Sequence, residues 1–374
     1  MRMRARISRL MLWTLSGVAL GLSALNIVAI SQAASVQSDF LPSFLNDVNG
    51  KVEYRRATWK KYQLAQRNIE LYPGDMLKLG QGAIARIKCA NGRYWRVPDN
   101  GESGLNNGCQ PVPVKNKPPF GVRGGDDPTL PFIISPRSTQ LLTDKPTLRW
   151  NVVVGAKRYT ASVVDQRVGK GEVWKTETTS NQVVYNGPLL EPGVDYLLSV
   201  KTDNGKSSDK EIEQGAVGIG FRVLNRDKSQ QVQTELAEID KEFTGETKEL
   251  AIAQLYILSD LRAEAIEKLE ALTSKKSQTS TIYRSLGDLY RQIRLNRLAE
   301  DRYLKAVQDG KKLGDLETIV LSQTGLAEIY ASRRNWDEAI RWGTAAKTGY
   351  EDLGDPQRVS ELNKQLDRWK RQKK

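Results

Sequence analysis

The chain has 374 residues, too many for one average domain, with 39% hydrophobic and 27% charged residues. Those values exclude a polytopic membrane protein and a disordered chain. Lys and Arg number 57 against 44 Asp and Glu, a net charge of +13, and there is no histidine. Its absence removes Ser-His-Asp and Cys-His nucleophile activation, His-ligated zinc and heme, and imidazole acid–base chemistry.

Arg2, Arg4, Arg6 and Arg9 precede an apolar stretch from Leu10 to Ile30, and Ser31-Gln32-Ala33-Ala34 then offers small residues around a cut after Ala33. Residues 1–33 therefore read as a bacterial secretory signal. The apolar run is 21 residues, long enough to span a bilayer uncleaved, so an inner-membrane anchor at 10–30 is the alternative. Either reading predicts an exported chain, in the periplasm or elsewhere in the cell envelope. Export makes genomic nucleic acid an unexpected partner, and membrane contact is expected only if the segment stays uncleaved.

Residues 35–110 predict a small β domain. Alternating runs occur at Lys51–Arg55, Asn68–Leu71, Met76–Leu79, Ala83–Cys89 and Arg93–Val97. Turn residues lie between them, and Asn91-Gly92 is a strong hairpin signal. Cys89 and Cys109 are the only cysteines, with 19 residues between them. In an exported chain they are expected to pair, closing a loop worth roughly 3 kcal/mol on chain-entropy grounds, with two free thiols as the alternative. Gly74-Asp75, Gly82-Ala83 with Ala85, Asn91-Gly92 and Val97-Pro98 resemble the FecR-type periplasmic domain over about 50 residues. Full FecR regulators carry a cytoplasmic segment before the membrane helix. Nine residues precede the apolar stretch here, so the resemblance does not imply direct sigma-factor control.

Seven of the fourteen prolines fall between Pro111 and Pro136, which marks 111–130 as a linker. Residues 131–225 again alternate, at Thr147–Val152, Arg158–Val164, Glu172–Thr176, Gln182–Tyr185, Asp195–Lys201 and Ile219–Leu224, as a β-sandwich would. Pro146–Trp150, Gly155–Tyr159 and Leu190–Tyr196 resemble a fibronectin type III-like module. The resemblance implies that Trp150, Tyr159 and Tyr196 are core residues. Trp174 has no place in the pattern.

Near Asn225 the β-branched alternation gives way to Leu/Ala/Glu/Lys helix formers, and residues 234–374 repeat, as an array. Tyr256, Ala265 and Leu272 recur as Tyr290, Ala299 and Ala306 at a period of 34, then as Tyr330, Ala339 and Ala346 at a period of 40. The six extra residues are assigned to a connection near Lys311-Lys312-Leu313-Gly314-Asp315. Tyr283, Leu286, Gly287, Tyr290, Ala299, Tyr303 and Ala306 resemble the tetratricopeptide pattern, and Ser360–Arg371 reads as a final amphipathic capping helix. The expected fold class is therefore multidomain β plus α: a small FecR-like β domain, a β-sandwich, then an α-helical solenoid. The resemblance implies a concave face for a protein partner, lined by Gln254, Arg284, Asp288, Arg291, Gln292, Thr324 and Glu328. An ordinary solvated face is the alternative. Asp288 stands where a carboxylate clamp carries Asn, so capture of a peptide C-terminus is not implied.

No nucleophile motif, phosphate-cradling loop or metal-ligand spacing occurs. The chain reads as a non-enzymatic envelope adaptor with no cofactor, binding unidentified protein partners. A FecR-like sensor is one alternative. A cell-wall or polyanion binder is another, because 14 basic and 7 acidic residues lie between Ala34 and Gly125. Its candidate patch is Lys51, Arg55, Arg56, Lys60, Lys61 and Arg67.

Overall fold

A computed structural model of the chain describes residues 40, 42–99, 101–113, 127–213, 219–274 and 279–374. The expected signal segment 1–33 and most of the expected linker lie outside the described residues. Among those described, no helix is long and apolar enough to cross a membrane.

The first β region contains β1 (Ser43–Asn49), β2 (Val52–Arg55), β3 (Gln63–Leu64), β4 (Glu70–Leu71), β5 (Met76–Leu79), β6 (Ile84–Lys88), β7 (Tyr94–Arg96) and β8 (Glu102–Gly104). They form two antiparallel sheets, in the orders β4-β1-β6-β7 and β3-β2-β5-β8. Alternation puts Leu45, Val52, Leu77, Leu79, Ala85 and Ile87 inside, where they are buried, because successive strand side chains point to opposite faces. Gly92 turns the β6–β7 hairpin at φ 85°, a conformation that glycine adopts without steric cost. Cys89 and Cys109 form a disulfide with Cα atoms 5.1 Å apart, and the bond is compatible with an exported chain.

The second β region contains β9 (Ile133–Ser135), β10 (Thr139–Leu141), β11 (Thr147–Trp150), β12 (Tyr159–Asp165), β13 (Gly171–Thr178), β14 (Gln182–Val184), β15 (Tyr196–Thr202) and β16 (Phe221–Val223). A five-stranded sheet, β10-β16-β15-β12-β13, and a three-stranded sheet, β14-β11-β9, share one core. Only β10 and β16 pair in parallel among the described strands. Trp150 and Tyr159 are buried with ring centroids 5.6 Å apart. The Glu191 N–H donates to the Tyr196 hydroxyl at 2.9 Å, fixing that corner. Trp174 packs on Tyr185 and donates its indole N–H to Asn186 at 2.8 Å.

The helices are α1 (Asp209–Glu213), α2 (Arg226–Glu242), α3 (Gly245–Leu258), α4 (Arg262–Ser274), α5 (Ser280–Gln292), α6 (Asn296–Leu313), α7 (Leu316–Ser332), α8 (Trp336–Leu353) and α9 (Pro356–Lys373). Consecutive helices from α2 to α9 pack on one another, and α5 also packs on α7. Ala265, Ala299, Ala306, Ala339 and Ala346 are fully buried at these contacts, where small side chains let helix backbones approach. Tyr303 is held between two glycines: a Cβ on either Gly287 or Gly325 would come within 2.5 Å of its ring. Gly287→Ala should therefore cost about 1–3 kcal/mol by overpacking, measured as the shift in urea midpoint of the whole chain.

The change to helix formers expected near Asn225 coincides with the start of α2 at Arg226, where the Asn225 side chain caps the Lys228 N–H at 3.0 Å. One detail differs from the sequence expectation. The six extra residues of the last repeat lengthen helices, α6 and α7, instead of a connection. Lys311 and Lys312 suit a helix C-terminus, and α6 ends at Gly314, which is left-handed at φ 68°. Asp315 then caps α7 through the Thr318 N–H at 3.0 Å.

Both β regions pack on the helices. In the first, Leu45, Leu71, Leu77 and Ile87 belong to the same apolar core as Val320, Tyr350, Leu353 and Leu362 of α7, α8 and α9. In the second, Arg149 pairs with Glu270 at 2.9 Å. The Leu142 N–H donates to Glu264 at 2.7 Å. Arg137, 1% exposed, pairs with Glu211 at 2.7 Å and donates to the Ile293 carbonyl at 2.8 Å.

Candidate functional site

The residues that the tetratricopeptide resemblance assigned to a concave face lie along α3, α5 and α7, and the first β region covers part of that row. Gln254 lines a small cavity with Phe44, Asn68, Leu250 and Ile257. Arg284 reaches Glu70 of β4 at 3.6 Å and Asp288 at 2.7 Å. Further along, the Tyr303 hydroxyl donates to Asp288 at 2.6 Å, and Arg291 donates to that hydroxyl at 3.2 Å and pairs with Glu328 at 2.9 Å. Asp288, Arg291 and Glu328 keep about a third of their side-chain surface exposed, at 33%, 34% and 38%. Gln292 is half-buried at the end of α5. Thr324 donates to the Val320 carbonyl at 2.9 Å.

Arg56 is the centre of the contact. It lies just past β2, 6% exposed, and its side chain enters the mouth of the helical array. Nε and Nη2 grip Glu317 of α7 at 2.8 and 2.7 Å, and Nη1 reaches Asp75 at 2.5 Å and the Glu70 carbonyl at 2.7 Å. Tyr54 adds its hydroxyl to Glu317 at 2.9 Å. A planar guanidinium satisfies two carboxylates and a carbonyl in one fork, which a lysine ammonium cannot match.

The electrostatics follow from this geometry. Burial opposes the charge on Glu317, but Arg56, Arg284 and the Tyr54 hydroxyl outweigh it and hold the carboxyl below its ordinary range. Burial pushes the Asp75 carboxyl up, against Arg56 and the Tyr72 N–H. Burial and then Glu317 push the Tyr54 hydroxyl well up. A polar cavity of about 60 Å³ remains beside the cluster, lined by Arg56, Glu70, Tyr72, Arg284, Asp315 and Glu317. Around the cluster, Thr58 donates to Asp355 at 2.8 Å, the Lys60 N–H to the Gly354 carbonyl at 2.9 Å, and Thr247 to Asn68 at 2.9 Å.

The six residues of the candidate basic patch are thus dispersed. Arg56 is in the buried cluster. Arg55 donates to the Trp59 carbonyl at 2.9 Å and lies over Tyr62. Lys51 pairs with Glu53 at 3.0 Å, and Arg67 with Asp47 at 3.1 Å. Lys60 and Lys61 are exposed beside Gly354 at the end of α8. Asp75 and Glu317, which complete the cluster, escaped the sequence reading. Asp75 was visible only as part of a Gly-Asp turn, and no local signal links position 56 to position 317.

This arrangement clamps two parts of one chain and leaves a ribbon of paired, half-exposed polar side chains on α5 and α7. Neither a protein-family model nor a curated protein matches the chain.

Proposed function

We propose that this chain is a non-enzymatic adaptor of the cell envelope, built from a FecR-like β domain, a fibronectin type III-like sandwich and a tetratricopeptide-like array. In this reading the array uses the mouth of its concave face internally, to seat the first β region, and offers the remainder to a partner protein. The observation that carries it is the row Asp288, Arg291, Gln292, Thr324 and Glu328. These side chains lie beyond the seat of Arg56, partly exposed, on two helices that pack against each other. The internal pairs keep the row soluble in the absence of a partner and can be exchanged for intermolecular ones, as the rims of polar interfaces allow.

The test is crosslinking in the native envelope with the whole chain carrying a photoreactive residue at position 292. Capture of a discrete partner is expected. Exchanging the charges in R291E/E328K reverses the pattern offered and should abolish capture, with a lower urea midpoint because the Arg291 bond to Tyr303 is lost; E328Q, which leaves that bond in place, should weaken capture with the midpoint within error. Capture that persists in the exchanged variant, or that occurs only from a photoreactive residue at position 96 in the first β region, would overturn the reading.

A further inference from the structure

With the sequence-adjacent cations dispersed, two exposed arginines of the first β region stand side by side on the outer face of the β4-β1-β6-β7 sheet. Arg86 and Arg96 face each other in register across β6 and β7, and Asp47 of β1 stands opposite Arg86 on the other side. Both arginines are exposed, and among the described residues neither has an ion-pair partner. Asp47 is engaged by Arg67 at 3.1 Å. In the next row Lys88 lies 4.4 Å from the Tyr94 ring centre and 5.3 Å from that of Phe243. The acid from α2 that acts on Lys88 is Glu238.

Like charges directly opposite each other on a sheet oppose folding. Their β-carbons are roughly 5 Å apart in such a pair, within reach for both guanidinium forks to meet one anion. A tetrahedral anion placed there accepts from both and turns the repulsion into attraction. We infer that Arg86 and Arg96 form a binding site for the phosphate groups of a linear, phosphate-bearing polyanion. The surroundings favour a soluble polymer over a lipid surface. The exposed large hydrophobic residues of this region are Leu64 and Tyr94, and Tyr94 is engaged by Phe243 and Lys88. Among the described residues, Tyr94 is the single exposed large hydrophobic side chain on this face, too little for the apolar face that accompanies cations in interfacial binding. The site is independent of the adaptor row on α5 and α7.

The test is binding of long-chain inorganic polyphosphate to the whole chain over a salt series. R86Q/R96Q is expected to weaken binding at least tenfold and to flatten the slope of log K against log salt by about 1.4, near 0.7 for each lost phosphate contact. Its melting temperature should stay unchanged or rise, because the replaced pair repels itself. K60Q/K61Q should bind as the parent does. The inference is overturned if R86Q/R96Q binds like the parent, or if K60Q/K61Q alone loses binding. It is equally overturned if arginine-dependent binding appears on phosphatidylglycerol vesicles and not with polyphosphate.

Discussion

Replacing Arg56 with methionine is expected to destabilise the chain by about 3–5 kcal/mol, the range for removing one partner of a buried ion pair. The side chain is 8% exposed, against 3% for Asp75 and 13% for Glu317. Methionine approximates its length but leaves Asp75 without its cation and Glu317 with Arg284 alone acting on it. The loss arises from that uncompensated charge more than from the bond itself, which gives the prediction a second arm. Removing Glu317 as well, in R56M/E317L, should recover a large part of the loss, a coupling that a double-mutant cycle measures directly. Urea unfolding supplies the free energies, and amide exchange at β2 and β4 should quicken in R56M. A cost below about 1 kcal/mol would show that the apolar contacts of Leu71 and Tyr54 with α7 and α8 hold the seat unaided. The pH dependence has a definite sign. Glu317 is held below its ordinary value in the folded chain. Its contribution is present above the ordinary carboxylate range and is lost as pH falls through the lowered folded value.

Glu264→Gln is expected to stabilise the chain at pH 8 by up to about 3 kcal/mol and to have almost no effect at pH 4. Glu264 sits where α4 meets the second β region. Its Oε1 accepts the Leu142 N–H at 2.7 Å, while its Oε2 is closed off from solvent without a partner. Burial pushes this carboxyl up to about 7 from an ordinary 4.5. A group raised in this way holds its proton in the folded chain where the unfolded chain has lost it. Stability therefore falls as pH rises from about 4.5 through about 7 and stays reduced above that. The amide keeps the acceptor for Leu142 and carries no charge, so the variant should lack this part of the pH dependence. Unfolding at pH 4, 6 and 8 in parent and variant checks it. Parallel curves would mean that solvent reaches the ionised carboxylate.

Much of the local structure was legible in the residues. The runs at Met76–Leu79 and Ala83–Cys89 became β5 and β6, because alternation and burial are one statement in a half-buried strand. β1 was not legible. A shift of register between Leu45 and Asp47 breaks its alternation, as an irregular residue does in any strand. The helices announced themselves through Tyr290, Ala299 and Tyr303, whose spacing is a packing requirement. The start of α2 showed as the change in composition near Asn225.

The charged surface was the least legible part. Lys51, Arg55, Arg56, Lys60, Lys61 and Arg67 are close in sequence and read as one patch, yet Arg56 is bound to a carboxylate 261 positions away. Arg86 and Arg96, ten residues apart, meet because a hairpin aligns them. The sequence by itself determined where most strands and helices form, that two cysteines were available to pair, and how small residues are spaced for helix packing. All of these depend on neighbours along the chain or on a short period. Tertiary structure alone decided which charges are consumed in holding the chain together and which remain on its surface. Electrostatic interaction depends on distance through space and on exclusion of water, and neither is encoded by proximity in sequence.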